Sequence, residues 1–250
     1  MKTFRRVRLL AASILAGATI SGQCDYSKYP EPLRSHGDIT RAAVETDNIW
    51  IAKLPIEDYP ELAKFTNLKR VHFHLQEGTG ADDSKLLALS RVGLTNLFDV
   101  DLLNCPRVTD RGIEYLAQLP ALRYLQLEGT STGDGACKVL ASKRSVTGVN
   151  VAHCTNVTLT GIIELAHSDT LDELSFSFRG LSMQDVMRVI SELRHAKWCE
   201  IVDPEGEVDA DAVKRAGDAR GVKIVLHAQG ALRTFLGEKP RPWTPKAAQK

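Results

Sequence analysis

The 250-residue chain lacks most of the short patterns that carry chemistry. There is no S-x-x-K, no P-loop and no G-x-G-x-x-G, which removes the usual signatures of an activated serine–lysine pair, a bound nucleotide phosphate and a dinucleotide. Five cysteines are present, but none forms C-x-x-C or a Cys/His cluster at metal-ligand spacing. No apolar run is long enough to span a bilayer as a helix, which needs roughly 20 residues. The charged residues form no basic stripe, and a nucleic-acid-binding body would require one.

The net charge of +1 hides an uneven distribution. Lys2, Arg5, Arg6 and Arg8 open the chain with no acid among residues 1–23, and residues 227–250 hold five basic residues against one acid. The body between is therefore acidic, near −7 by subtraction. The N-terminus reads as an export signal: a basic start, an apolar stretch from Leu9 to Ile20, then the small residues Ser21 and Gly22. Residues 1–23 are assigned to this signal, and the mature protein is expected in the periplasm, on the cell surface or secreted. Cys24 follows directly and is a candidate lipidation site, which would be its only link to a membrane. The residue before it is Gln23 rather than the small residue such signals prefer.

Residues 24–46 form an N-terminal capping segment, irregular apart from a short helix expected over Ile39–Val44. From residue 47 to 226 the sequence repeats. Leu97, Val100 and Leu102 make an L-x-x-L-x-L pattern, and Leu122, Leu125 and Leu127 make it again. It recurs at Val146/Val149/Val151 and Leu171/Leu174/Phe176, with an earlier copy at Leu68/Val71/Phe73 and a weaker one keyed on Trp198 and Ile201. Between strands, Ile113, Leu116 and Leu119 recur at helical spacing, as do Cys137 with Leu140 and Ile162 with Leu165. Asp110 and Asp134 fall just before their helices, where a carboxylate can cap free amides. Units of 24–29 residues cannot bury their leucines alone, so they must stack around one continuous core. Residues 227–250, basic and holding Pro240, Pro242 and Pro245, read as a flexible tail.

The unit from Leu97 to Leu119, with Cys105, Val108, Thr109, Asp110, Gly112 and Ile113 in place, resembles the cysteine-containing subtype of leucine-rich repeat. Cys154, Val157, Thr158, Gly161 and Ile162 repeat the signature. The resemblance implies an α/β solenoid with a curved parallel sheet on one face and helices on the other. It also implies a non-catalytic module that recognises a protein or peptide, with no cofactor and no nucleic-acid partner. Some eukaryotic members carry an F-box before the repeats, and residues 24–66 show none.

Cys105 and Cys154 hold the ninth position of their repeats, with Thr130 between them, which suits a small buried side chain bonded to the loop. Two strand spacings place the two cysteines about 9–10 Å apart, too far to pair. Residues flanking the second leucine of each strand should point away from the core. That rule gathers Arg70, His72, His74, Asp99, Asp101, Tyr124, Gln126, Glu128 and Asn150 on the concave face as the candidate binding surface, with Tyr124 as its anchor. One alternative is a metal-dependent hydrolase of a polymer centred on His72, His74 and Asp101. Another is a purely structural surface protein.

Overall fold

The computed structural model describes residues 31–73, 80–203, 206–228 and 231–234. The signal assigned to residues 1–23, Cys24 and His74 lie outside the described residues. One sheet contains β1 (Asn48–Ile51), β2 (Arg70–Phe73), β3 (Asp99–Asp101), β4 (Tyr124–Gln126), β5 (Gly148–Asn150), β6 (Glu173–Ser177), β7 (Trp198–Asp203), β8 (Lys223–Ala228) and β9 (Ala231–Thr234), in chain order. β1 to β8 run parallel, and β9 returns antiparallel along β8.

Parallel neighbours need a crossover. After β1 it is a 3-10 helix, Ile56–Lys64. After β2 to β7 it is an α-helix: α2 (Asp83–Ser90), α3 (Asp110–Leu116), α4 (Asp134–Ser142), α5 (Leu159–Ala166), α6 (Met183–Glu192) and α7 (Ala210–Arg220). A first helix, α1 (His36–Arg41), precedes the sheet. The inward leucine, valine and phenylalanine positions of β2 to β6 are all buried, and every helix contributes to the same core. This is the α/β solenoid that the repeat spacing requires.

The turn after each central strand is built the same way. Asn104, Gly129 and His153 adopt left-handed backbone at φ 56°, 74° and 56°. Each precedes a small buried residue. Cys105 Sγ donates to the carbonyl of Phe73 at 3.4 Å and Cys154 Sγ to that of Leu127 at 3.0 Å, while the Thr130 hydroxyl lies 2.9 Å from that of Thr132. The four described cysteines are free and buried, and burial pushes the Cys105 thiol up to about 12.

A carboxylate ladder joins the helix starts. Asp110 and Asp134 do not cap their own helices as expected. Thr109 caps α3, and Gly133 opens α4 without a side-chain cap. Instead each aspartate, first in its helix, accepts from the start of the next one. Asp83 takes the Thr109 N–H at 2.9 Å and its hydroxyl at 2.6 Å, Asp110 takes the Gly133 N–H at 2.5 Å, and Asp134 takes the Thr158 N–H at 2.8 Å and its hydroxyl at 2.6 Å. A Cβ at Gly112 would lie 2.5 Å from Asp83 Oδ1, and one at Gly161 would fall on Asp134 Oδ1. The T-D-x-G signature is thus a contact between repeats: threonine receives the previous carboxylate, and glycine leaves it room.

Both ends depart from expectation. At the N-terminus the helix lies at His36–Arg41, earlier than Ile39–Val44, because Ser35 caps it by accepting from the Asp38 N–H. Lys64 closes its other end by donating to the carbonyls of Ile39 and Ala42, the second at 3.0 Å. Leu33 bridges to Ile51, and Tyr59, Leu62 and Phe65 of the unexpected 3-10 crossover seal the apolar end. At the C-terminus the sheet does not stop at Leu226. β8 continues to Ala228, and β9, within the segment assigned to a flexible tail, covers the edge that β8 would leave open. Residues 235–250 lie outside the described residues.

Candidate functional site

The concave face carries two straight rows of side chains, set by the strand register. One row runs Asn48, Arg70, Asp99, Tyr124, Gly148, Glu173, Trp198, Lys223; the other runs Trp50, His72, Asp101, Gln126, Asn150, Ser175, Glu200, Val225. The structure therefore brings the described sequence candidates onto one face, with Glu128 at the exit of β4. It also corrects the reading of β7. Leu174 pairs with Cys199, so Cys199 is the inward residue and Trp198 lies on the concave face. Glu173, Ser175, Glu200 and Lys223 join the rows. The flanking rule applied to Leu174 finds Glu173 and Ser175 directly, and it finds Glu200 once the β7 register is moved by one residue.

Three of the candidates have a local structural task. Asp101 Oδ1 accepts the Leu103 N–H at 2.9 Å, Gln126 Oε1 the Glu128 N–H at 3.2 Å, and Asn150 Oδ1 the Ala152 N–H at 2.8 Å. The adjacent amides of Leu102, Leu127 and Val151 donate across the sheet to Gln126, Asn150 and Ser175. The side chains thus satisfy the amides that the ladder passes over. Asp101 Oδ2 also meets His72 Nδ1 at 3.1 Å.

Near the first strands, Arg70 Nε sits 3.5 Å from Asp99 Oδ2 and its guanidinium lies over the Phe98 ring at 5.9 Å. Phe98 meets Tyr124 edge-on, with ring centroids 6.3 Å apart. Tyr124 is thus a buried packing residue, 7% exposed, rather than a projecting anchor. Burial raises the Asp99 carboxyl to about 6 against the opposing pull of His72 and Arg70.

Further along, two glutamates converge from opposite sides. Glu128 Oε2 accepts from Asn150 Nδ2 at 3.3 Å, and Glu200 Oε2 accepts from Ser175 Oγ at 3.0 Å. Asn150 and Ser175 are register partners on adjacent strands. His153 Nε2 stands 3.9 Å from Glu128, and His227 pairs with Glu200. Burial, followed by the Glu200 charge, raises the Glu128 carboxyl to about 7. Lys223 lies over the Trp198 ring at 4.5 Å.

Among the described residues, no three His, Cys, Asp or Glu side chains are grouped to hold a metal ion. One chemical pattern escapes a reading confined to the repeats. Gly129-Thr130-Ser131-Thr132-Gly133 matches G-x-S-x-G between a strand and a helix. Ser131 has none of the strained positive φ of a nucleophile elbow, and its hydroxyl donates to the carbonyl of Pro106 at 2.6 Å.

No protein-family profile matches the sequence. Several solved structures match part of the chain at low identity. The tropomodulin C-terminal domain of Caenorhabditis elegans is 19% identical, covering 56% of this chain and 92% of that one, with a TM-score of 0.42. An internalin of Listeria monocytogenes is 13% identical over 74% of this chain and 50% of its own, again at 0.42. TLR13, solved in complex with ssRNA13, is 11% identical over 74% and 33%, also at 0.42. What decides the architecture is internal to the chain: parallel strands in sequence order, a helix per crossover, and the same left-handed turn before Cys105, Thr130 and Cys154. The fold is a leucine-rich repeat solenoid. Its concave face is acidic where the glutamates converge, and its convex side is helical.

Proposed function

We propose that this chain is a non-catalytic recognition module whose concave face binds a protein or peptide segment bearing basic side chains. The observation that carries this reading is the pair Glu128 and Glu200, whose carboxylates reach from either side onto the register partners Asn150 and Ser175. Asp101, Gln126 and Asn150 serve the backbone. The two glutamates bond side chains rather than backbone amides, and desolvation, followed by the charge of Glu200, raises the Glu128 carboxyl. Perturbed groups of this kind concentrate at sites of function. A lysine or arginine from a partner offsets both terms. The same charge disfavours a nucleic-acid backbone. With the export signal at its N-terminus, the module meets its partner outside the cytoplasm.

The hydrolase alternative is weakly supported. Both oxygens of Asp101 are engaged, by Leu103 and His72, and His74 lies outside the described residues.

The test is a library of immobilised peptides presented to purified protein. Bound peptides should be enriched in Lys and Arg. Glu128→Gln with Glu200→Gln, chosen because the amide oxygens can still accept from Asn150 and Ser175, should weaken capture at least tenfold without loss of the fold. Undiminished capture by a folded double variant would refute the concave-face reading.

A further inference from the structure

Each glutamate of the concave face has a histidine against it. His153 Nε2 is 3.9 Å from Glu128 Oε1, and His227 Nε2 meets Glu200 Oε1. The four side chains are 16–31% exposed. A ligand can reach them, yet water screens their charges only in part. Asn150 and Ser175 lie between the two pairs, each bonded to one of the glutamates.

The turn does not call for the His153 ring. Asn104 and Gly129 hold the same left-handed position in the two preceding repeats, so the position needs a positive φ and not an imidazole. The backbone fixes the turn on its own, because the His153 N–H donates to Ser177 Oγ at 2.8 Å. His227 lies on β8, and its register partners, Val202 on β7 and Leu232 on β9, carry no charge. Glu200, two residues before Val202, does. The further charges acting on the first pair are Glu200 and Asp101 on Glu128, and Arg179 on His153.

A neutral imidazole leaves the charge of its carboxylate to a ligand. A protonated one makes a charge-assisted bond to that carboxylate and competes with any incoming cation. Burial and Glu200 raise the Glu128 carboxyl to about 7, while burial and Arg179 hold His153 below the ordinary histidine value. Whichever member of a pair takes the first proton, the charge of the pair goes from −1 to 0. We propose that the two pairs make the concave face a proton-gated clamp, which holds a basic partner at neutral and alkaline pH and releases it on acidification, when each pair takes up a proton. This rests on the concave face being the site for basic side chains and adds the condition under which that site lets go.

The probe is an amidated, rhodamine-labelled hexa-arginine peptide, whose guanidinium groups stay charged at every pH used, so a pH dependence belongs to the protein. Titrated by fluorescence anisotropy at constant ionic strength, it should bind the full chain about tenfold or more tightly at about pH 8 than at about pH 5.5. In the variant His153→Asn with His227→Gln, binding at about pH 5.5 should be about threefold or more tighter than in the parent. Asparagine is chosen for the turn because Asn104 already occupies its equivalent. Equal affinity of the parent at both pH values would overturn the clamp and leave the face as a site for basic peptides. A pH dependence kept in full by the folded histidine variant would overturn it as well. Binding at neither pH would refute the face itself, and the clamp with it. Calorimetry on the unsubstituted chain needs no variant: near pH 7, runs in two buffers of different ionisation heat should show protons released as the peptide binds. Binding with no proton exchange would overturn the proposal.

Discussion

The ladder between repeats makes a quantitative demand at Asp134 and Gly161. Asp134→Ala removes two hydrogen bonds from the Thr158 N–H and hydroxyl. Bonds to a charged group are worth about 1.5–3 kcal/mol when buried. Thr158 is exposed, so water replaces part of each. The variant also loses a negative charge in the first turn of α4, worth about 0.3–1 kcal/mol. A destabilisation of about 2 kcal/mol is expected. Gly161→Ala should gain nearly 1 kcal/mol in helix propensity, but its Cβ lands on Asp134 Oδ1 and only 3.1 Å from the Asp134 Cα and Cγ. Displacing the carboxylate forfeits its bonds, so this variant too should lose about 1–3 kcal/mol. In the double variant the oxygen is already gone, and only the tight approach to Cα remains. The double should therefore cost about as much as Asp134→Ala alone, a coupling of about 1–3 kcal/mol. Urea unfolding followed by circular dichroism reads this as a midpoint shift, provided the slope is common to all four proteins. Strict additivity within about 0.5 kcal/mol would refute the claim that glycine is there to admit the neighbouring carboxylate.

Leu125 is fully buried at the centre of the sheet, and Leu125→Ala should lose about 2–5 kcal/mol by denaturant titration; a loss below about 1 kcal/mol would contradict its placement in the core. The acidic face predicts a pH dependence of defined sign. Folding raises the Glu128 carboxyl from 4.5 to about 7, so its contribution is fully present below about 4.5 and is lost as pH rises through about 7, by up to about 3 kcal/mol. Glu128→Gln should flatten that slope and exceed its parent in stability near pH 8; matching stabilities there would show that the carboxylate is not desolvated.

The solenoid was legible because its core obeys a period. Leu97, Val100 and Leu102 recur at Leu122, Leu125 and Leu127, and burial follows them residue by residue. What the period does not encode was harder to read. The 3-10 crossover Ile56–Lys64 carries no repeat signature, because a terminal unit packs against a cap rather than another unit. β7 was misregistered because Trp198 is apolar and looked inward, while the small Cys199 takes the core position. The ladder partners of Asp110 and Asp134 lie 23 and 24 residues ahead, beyond any local capping pattern.

The concave face shows the same division. Alternation along a strand tells which side a residue takes, but not why it is polar. The structure separates two reasons. Asp101, Gln126 and Asn150 each satisfy an amide two residues on, so their recurrence is a property of the strand exit and would persist in a repeat that bound nothing. Glu128 and Glu200 come from strands β4 and β7, reach over β5 and β6, and meet other side chains rather than the amides of their own strand exits. Replacing either with glutamine keeps the bond to Asn150 or Ser175 and removes the charge that faces His153 or His227. That charge is the property a basic partner would read.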